Sequence, residues 1–334
     1  MQHEIKEWKE IHKDYERGSL LLGNGASIAV NSQFDYKSLL DYLKKENLFD
    51  DDIQKLFESF KTEDFEFILR LLWQASNVNK TLLIKDNETN RAYTRVRENL
   101  IKAVRDVHPS YSTVLPQLGT IYNFLKQFNT VISLNYDLIV YWAMMLGLER
   151  NDGHYLKDCF NSHRFDNSLG DFKGLEDKEE LTTFVFYPHG NLVLARNIFG
   201  EETKLKRKPN TELLDVILEN WECGTVIPLF VSEGTKKQKI KAITRSDYLN
   251  TVYKEVLPIL ESNLVIYGWG FGEQDFHILE KIGTYQHIKK VAVSVYNNND
   301  EYCDEVTRIL KEHLDQNIQI DFFHSHSSGA WNNK

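Results

Sequence analysis

Short apolar runs that alternate with segments of helical periodicity constrain the fold of this chain more than any other sequence feature. Each run has the length of a buried strand, and an amphipathic segment follows most of them. Strands are predicted at residues 19–23, 130–134, 183–188, 225–231, 263–267, 290–295 and 317–323. Because strands that alternate with helices build parallel sheets, the sequence predicts an α/β fold with a doubly wound, mainly parallel, Rossmann-like sheet.

The predicted helices are distributed unevenly. A leading helix is expected over residues 3–16, and a helical insertion layer fills about residues 36–128 between the first two strands. Its helices are predicted at residues 36–47, 51–60, 63–76, 91–107 and 111–128, and later ones at 211–221, 246–261, 273–283 and 300–314. A polar insertion at about residues 151–180 is expected beside the sheet, within a single domain spanning residues 1–334. The last ten residues are expected to be frayed.

Composition excludes several classes of protein. With 40 Lys and Arg against 49 Asp and Glu, the net charge is −9, so direct nucleic acid binding is not expected. Cys159, Cys223 and Cys303 are too few and too far apart for a disulfide framework or a four-cysteine zinc site. The histidines show no ligand spacing, so no metal is predicted. The charged N-terminus and the absence of a long apolar run predict a cytoplasmic protein without membrane contact.

Polar and glycine residues directly follow five of the predicted strands. Ligands of open α/β sheets bind beyond the carboxyl ends of the strands, so these stretches form the candidate site. They are residues 23–27 (GNGAS), 135–137 (NYD), 189–191 (HGN), 232–234 (SEG) and 268–270 (GWG), the last followed closely by Asp275.

Each stretch also has a purely structural interpretation. A glycine turn between a strand and a helix commonly binds phosphate, but a turn capped by Ser27 also occurs without a ligand. Asn135 or Asp137 either carries chemistry or caps the next helix. Asp275 either contacts a ligand or complements a helix dipole.

The two histidines near the predicted strand ends are expected to differ. His189 lies between Pro188 and Gly190 at the end of a strand, which suits either a plain turn or a catalytic group. We expect its ring to be exposed in the cleft and to titrate near neutrality. His277 is expected to face the core.

Taken in order, the Gly-x-Gly-Ala-Ser turn, the Asn-x-Asp, the His-Gly, "VIPLFVSEG" and "IYGWGFGEQD" resemble the sirtuin-type NAD-binding fold over about residues 19–296. The sequence motifs "LLGNGAS", "HGNL" and "GEQDFHI" resemble those of a bacterial sirtuin-like family, which is related to the NAD hydrolases of anti-phage systems. The sequence also departs from sirtuins. Residues 190–224 hold only Cys223 instead of the zinc ribbon, so protein deacylation is not expected. Residues 34–36 lack the sirtuin arginine, and Trp269 and Gly270 replace a Ser/Thr pair.

The resemblance implies an NAD+ glycohydrolase of anti-phage defence that releases nicotinamide and ADP-ribose. It implies that Asn135 orients the water and the nicotinamide ribose, that Asp137 holds the carboxamide side, and that His189 binds a ribose hydroxyl as general base. The diphosphate would lie on the backbone of Gly23, Asn24, Gly25, Ala26 and Ser27. The adenosine half would face Ser232, Gly268, Trp269 and Asp275.

On this interpretation NAD+ is the substrate, and neither a cofactor nor a metal is needed. Two alternatives stay open: a sensor that binds NAD+ or ADP-ribose without turnover, and an ADP-ribosyltransferase. Because an NADase must be restrained, a homo-oligomer or a HerA-type ATPase partner is expected.

Overall fold

Parallel strands dominate the architecture of the protein, seen here in a computed structural model. The described strands are β1 (Ile5–Lys6), β2 (Ser19–Leu22), β3 (Thr130–Ser133), β4 (His154–Lys157), β5 (Phe160–Asn161), β6 (Arg164–Phe165), β7 (Leu181–Phe186), β8 (Gly190–Asn197), β9 (Glu202–Lys204), β10 (Val226–Phe230), β11 (Asn263–Tyr267), β12 (Lys290–Val295) and β13 (Gln319–His324). Eight of them form one sheet in the order β1-β13-β12-β11-β2-β3-β7-β4, and every neighbouring pair is parallel. The predicted α/β fold is confirmed.

The structure describes most of the chain. The described residues are 3–35, 39–46, 48, 50–63, 65–158, 160–161, 164–165, 181–197, 199–207, 211–231 and 235–334. Ser232, which was predicted to contact adenosine, and Cys159 lie outside these ranges.

The strand order reverses between β2 and β11. From β2 the chain builds outward through β3 to β7, and from β11 it builds outward on the other side through β12 to β13. Leu22 pairs with Ser133 on one side and with Tyr267 on the other, so the three central strands end level. This reversal is a topological switch point, where open α/β sheets bind ligands.

Helices fill the long interval between β2 and β3, as predicted. The described α-helices are α1 (Trp8–Ile11), α2 (Asn24–Val30), α3 (Leu39–Lys45), α4 (Asp51–Phe60), α5 (Phe65–Thr81), α6 (Glu88–Val107), α7 (Tyr111–Leu125), α8 (Ile139–Arg150), α9 (Leu213–Glu222), α10 (Lys236–Ile243), α11 (Asp247–Thr251), α12 (Phe276–Ile282) and α13 (Asp300–His313). In α6 the buried Tyr93, Val96, Leu100 and Val104 recur every three or four residues, the spacing of a helix that buries one face. None of the helices among the described residues is long and apolar enough to cross a membrane.

The predicted leading helix is much shorter than expected. Residues 5 and 6 are extended because β1 pairs with β13, and α1 begins only at Trp8. A 3₁₀ turn, His12–Asp14, follows it. The apolar spacing of this segment therefore indicated burial correctly but did not distinguish a short strand from a helix.

A second, antiparallel sheet corrects another prediction. Residues 225–231 were expected in the parallel sheet, but β10 pairs antiparallel with β8 in a sheet of order β10-β8-β9-β6-β5. The sequence did not predict β8 as a strand. Pro228 lacks an amide hydrogen, which suits β10 to the edge position that it occupies.

The polar insertion contributes to both sheets. Of its described residues, β4 forms an edge of the parallel sheet and β5 and β6 join the antiparallel one. Residues 166–180 of the predicted insertion lie outside the described ranges.

The C-terminal residues are packed, and the prediction of a frayed tail is wrong. Trp331 is only 1% exposed, and its Nε1 donates to the carbonyl oxygen of Ala26 over 2.7 Å. Asn332 donates to the carbonyl oxygen of Ala29. The tail therefore lies against α2, the helix that follows the glycine turn.

Candidate functional site

Two glycine turns meet at the switch point. The amide of Gly23 donates to Tyr267 O over 3.0 Å, and the amide of Gly25 donates to Gly268 O over 2.7 Å. A Cβ atom on Gly23 would lie 2.6 Å from the Cα of Trp269, and one on Gly25 would lie 2.8 Å from the Cα of Gly268. The turns therefore need glycine for their own backbone contact.

The same contact uses several of the amides that were predicted to hold a diphosphate. The amides of Gly23 and Gly25 bond across the two turns, and that of Ala26 donates to Gly23 O over 3.0 Å. Asn24 opens α2, and its side-chain amide donates to Phe34 O over 3.4 Å. A diphosphate at this turn must therefore rely on other groups than these three amides.

A polar cluster joins the first glycine turn to the end of β3. The Nδ2 of Asn135 donates to the carbonyl oxygen of Gly23 and to Ser27 Oγ, both over 2.9 Å. The hydroxyl of Ser27 donates to Asp137 Oδ2 over 2.5 Å. The structure thus brings Gly23 and Ser27 together with Asn135 and Asp137, from two stretches that lie more than a hundred residues apart in the sequence.

Asp137 is buried, and its contacts support the helix-capping interpretation. Its Oδ1 accepts from the amide of Ile139 over 2.8 Å, at the start of α8. Burial raises the pKa of this carboxyl, while the bonds from Ser27 and Ile139 act in the opposite direction. Asn191, fully buried at the start of β8, donates to Asp137 O over 2.6 Å.

His189 is buried, so the expectation of an exposed ring is wrong. Its residue exposure is 3%. The chain turns into the antiparallel sheet at Gly190, which has a φ of +76°, and the amide of Val231 donates to His189 O over 2.6 Å. The second sheet therefore packs directly against this position. Local sequence did not reveal this contact, because the covering strand lies some forty residues further along the chain.

The ring of His189 faces His277. Their Nε2 atoms are 3.0 Å apart, and His277 is also fully buried, as predicted. Burial, the Lys239 ammonium and His277 hold the pKa of His189 well below its usual value. Burial likewise lowers the pKa of His277 to about 4. Both imidazoles are therefore neutral near pH 7.

A buried ion pair completes this cluster. Lys239 Nζ lies 2.7 Å from Asp275 Oδ1, and the same oxygen is 3.8 Å from His189 Nε2. Sequence analysis missed Lys239, although it lies on the buried side of α10 with Ala242 and Ile243. A lysine at such a helical position is a signal that a buried partner carboxylate exists.

The structure also assembles metal-ligand atoms that the sequence did not indicate. One ligand atom each from His189, His277 and Asp275 lies within 4.8 Å of the others. His277 and Asp275 follow the second glycine turn, whereas His189 follows β7.

Trp269, predicted to face adenosine, is buried beside the glycine contact. It is 6% exposed and stacks on Phe271 with ring centroids 4.5 Å apart. Its carbonyl oxygen accepts from the Tyr302 hydroxyl over 2.7 Å. Within the described part of the chain its indole Nε1 has no hydrogen-bond partner.

A cavity of about 210 Å³ lies away from this cluster. Arg196 and Asn197 line it, at the opposite end of β8 from Gly190, together with Arg70 and Trp73 of α5. Among the residues that the structure describes, no predicted site residue lines this cavity. We place the candidate site at the switch point, because the predicted polar groups converge there.

A comparison with protein families identifies where the chain belongs. The sequence model of the family described as "Domain of unknown function (DUF4917)" matches residues 20–331. The match covers both glycine turns, both histidines and Lys239. No curated protein matches the chain.

Proposed function

We propose that this chain, which belongs to the DUF4917 family, binds NAD+ at the carboxyl ends of β2, β3 and β11 and hydrolyses its nicotinamide–ribose bond. One observation carries the proposal. Asn135, Ser27 and Asp137 form a hydrogen-bonded cluster at the switch point. The sirtuin-like order of these motifs supports NAD+ as the ligand.

The hydrolysis of the nicotinamide–ribose bond needs a positioned water molecule but no strong acid. Water adds to the anomeric carbon of the ribose as nicotinamide leaves with the electrons of the broken bond, and one proton is released. The leaving group is neutral, so no strong acid is needed. Positioning of the water and of the ribose hydroxyls supplies most of the catalysis that we propose.

Each residue has a role in this scheme. Asn135 donates both Nδ2 hydrogens, to Gly23 and Ser27, so its Oδ1 is held in place to accept from a ribose hydroxyl or the water. His189 is neutral near pH 7, but burial and the Lys239 ammonium lower its pKa, so it accepts the released proton only after substrate binding has changed these surroundings. Because the ring is 3% exposed, its neighbours must shift when the substrate binds. Asp137 holds Ser27 and α8 in place and supports the carboxamide side.

The decisive experiment incubates the pure full-length protein with NAD+ and measures nicotinamide and ADP-ribose separately. Equal release of both products supports hydrolysis. Binding of NAD+ without release of either product would indicate a sensor instead. Release of nicotinamide only when a protein or nucleic-acid acceptor is present would indicate an ADP-ribosyltransferase.

We further propose that the activity is restrained in the cell and serves anti-phage defence. We propose that either self-association or binding of a HerA-type ATPase controls the NAD+ hydrolysis activity. Light scattering across a concentration series, with turnover measured in the same samples, tests self-association. A monomer with constant specific activity at every concentration would exclude it, and co-purification with the ATPase tests the partner.

A further inference from the structure

The geometry points to a binding site for a divalent transition-metal ion between His189, His277 and Asp275. The site is tested separately from NAD+ cleavage, because the measurements use no nucleotide. The three side chains come from two separate parts of the chain, the end of β7 and the turn before α12. They offer two imidazole nitrogens and one carboxylate oxygen, all within 4.8 Å of one another.

A hydrogen bond to a backbone carbonyl orients the ring of His277. Its Nδ1 lies 3.1 Å from Gln274 O, and a carbonyl oxygen only accepts, so this nitrogen carries the hydrogen. Such a carbonyl partner is typical of metal-binding histidines. Nε2 of His277 is therefore the nitrogen that faces His189.

His277 presents an unprotonated ring nitrogen to His189. A neutral imidazole with its hydrogen on Nδ1 carries a lone pair on Nε2, and this atom lies 3.0 Å from Nε2 of His189. A metal ion between the two rings accepts this lone pair, and it accepts a second one from His189 when that ring carries its hydrogen on Nδ1.

The spacing and the ligand types favour a transition metal. In a tetrahedral site with Zn–N bonds of about 2.0–2.1 Å, neighbouring ligand atoms are about 3.3 Å apart. The observed separations of 3.0 Å and 3.8 Å lie on either side of this value. Two histidines and one carboxylate suit Zn²⁺ or Fe²⁺ and leave a coordination position for water or another ligand.

Lys239 competes with the metal for Asp275. Its Nζ lies 2.7 Å from Asp275 Oδ1, and its side chain is only 6% exposed, so the ammonium neutralises the carboxylate when no metal is bound. A metal ion must share the oxygen with this ammonium, which weakens binding. The ammonium therefore tunes the affinity. His189 Nε2 cannot serve as a metal ligand and as a general base at the same moment, so the loaded site and the role of His189 in cleavage exclude each other.

The test is titration of the chelator-treated, full-length protein with Zn²⁺ by calorimetry, and with Co²⁺ by visible spectroscopy. We expect one ion per chain and the d–d bands of a four-coordinate Co²⁺ site. His277→Ala should weaken binding by more than about 100-fold. Asp275→Asn, which keeps the shape of the side chain, should also weaken it. Lys239→Met should strengthen binding by about tenfold or more, because it removes a like charge at nearly constant volume.

The matched control uses the other close pair of histidines. His324 and His326 lie with ring centroids 5.4 Å apart near the C-terminus, and the double variant His324→Ala/His326→Ala should bind Zn²⁺ as the wild type does. Circular dichroism verifies the fold of each variant. Absence of one-to-one binding by the folded wild type overturns the inference, and so does loss of binding in the control pair alone. Weaker binding by a folded Lys239→Met variant also overturns it.

Discussion

The amide of Gly25 donates to the carbonyl oxygen of Gly268 over 2.7 Å, which joins two glycine turns that lie more than 240 residues apart in sequence. Each glycine belongs to a turn that sequence analysis assigned to ligand binding. The contact shows that both also have a structural requirement, since a Cβ atom on either would meet the backbone of the other turn. A larger residue at Gly25 is therefore expected to destabilise the fold, so a loss of NAD+ binding in such a variant would not by itself show that Gly25 contacts the ligand.

We predict that Gly268→Ala strongly destabilises the fold. Gly268 has a φ of +68°, and a Cβ atom there would lie 2.3 Å from Ala26 N. The backbone conformation alone costs about 1–2 kcal/mol for a non-glycine residue, and the clash adds to it. Gly270→Ala is the control, because its Cβ atom would meet nothing within 4 Å. Urea unfolding of both variants checks this, and equal stabilities would contradict the proposed close packing.

The second prediction concerns Ser27→Ala. The hydroxyl of Ser27 accepts from Asn135 and donates to the buried Asp137, so its removal should cost about 1–3 kcal/mol. Burial holds the folded-state pKa of Asp137 above its unfolded value, so stability falls as the pH rises from the unfolded-state to the folded-state pKa, above which the folded protein holds a charged Asp137. The cost of Ser27→Ala should therefore shrink as the pH falls and Asp137 is protonated.

Unfolding of Ser27→Ala at several pH values measures this cost. The exposed Ser328→Ala serves as control and should change the unfolding free energy by less than about 0.5 kcal/mol. A cost that is independent of pH would mean that Ser27 does not act through Asp137.

The third prediction separates catalysis from stability at His189. We expect His189→Gln to lower kcat for NAD+ cleavage by about 10²–10⁴, the usual contribution of a general base. The KM should change little, provided that the phosphate and adenosine contacts lie elsewhere. Because the ring is buried, we expect a lower melting temperature as well. Steady-state kinetics on the folded variant, with His326→Gln as control, tests this, and wild-type turnover would remove His189 from the mechanism.

The fourth prediction is acid destabilisation through His108. Its ring lies edge-on to Phe34 and Trp142, its Nδ1 bonds Pro109 O, and its Nε2 accepts from the amide of Leu138 beside Asp137. Burial lowers its pKa to about 4. Between about pH 6.5 and pH 4 the unfolded chain binds a proton that the folded chain excludes, so stability falls as the pH falls.

Complete protonation of His108 should lower the free energy of unfolding by about 3 kcal/mol. Other buried histidines titrate in the same range, so the measurement compares the unfolding free energy of the wild type with that of His108→Gln at each pH. This difference should shrink on acidification, as measured by urea unfolding across the range. A constant difference would show that His108 is not held neutral.

The fifth prediction concerns the C-terminal tail. Trp331→Ala should cost about 3–5 kcal/mol, the range for a fully buried aromatic side chain. Trp331→Phe should cost about 1–3 kcal/mol, because the carbonyl of Ala26 loses its indole donor. Tyr296→Ala, at a 73% exposed position, should be nearly neutral. Thermal unfolding of the three variants ranks their losses of stability. A Trp331→Ala variant as stable as the wild type would contradict the packing of the tail.

Local sequence patterns alone determined the positions of the central strands. A strand covered on both faces is apolar along most of its length, so Leu20 to Leu22 in β2 and Leu264 to Tyr267 in β11 are visible in the sequence. The helical block between β2 and β3 was visible for a similar reason, because helices such as α6 bury one face at regular spacing. The polar groups that follow β2, β3 and β11 were therefore placed correctly at the carboxyl edge of the parallel sheet.

Tertiary structure alone decided which distant residues meet. His189 pairs with His277, 88 positions further along the chain, and Lys239 pairs with Asp275, 36 positions further along. Strand β10 belongs to the antiparallel sheet because it pairs with β8. The periodicity of a segment reports which of its faces is buried, but not which other segment covers that face. Whether His189 lies in a cleft or in the core depends on such a partner, so its environment became known only once the chain was folded.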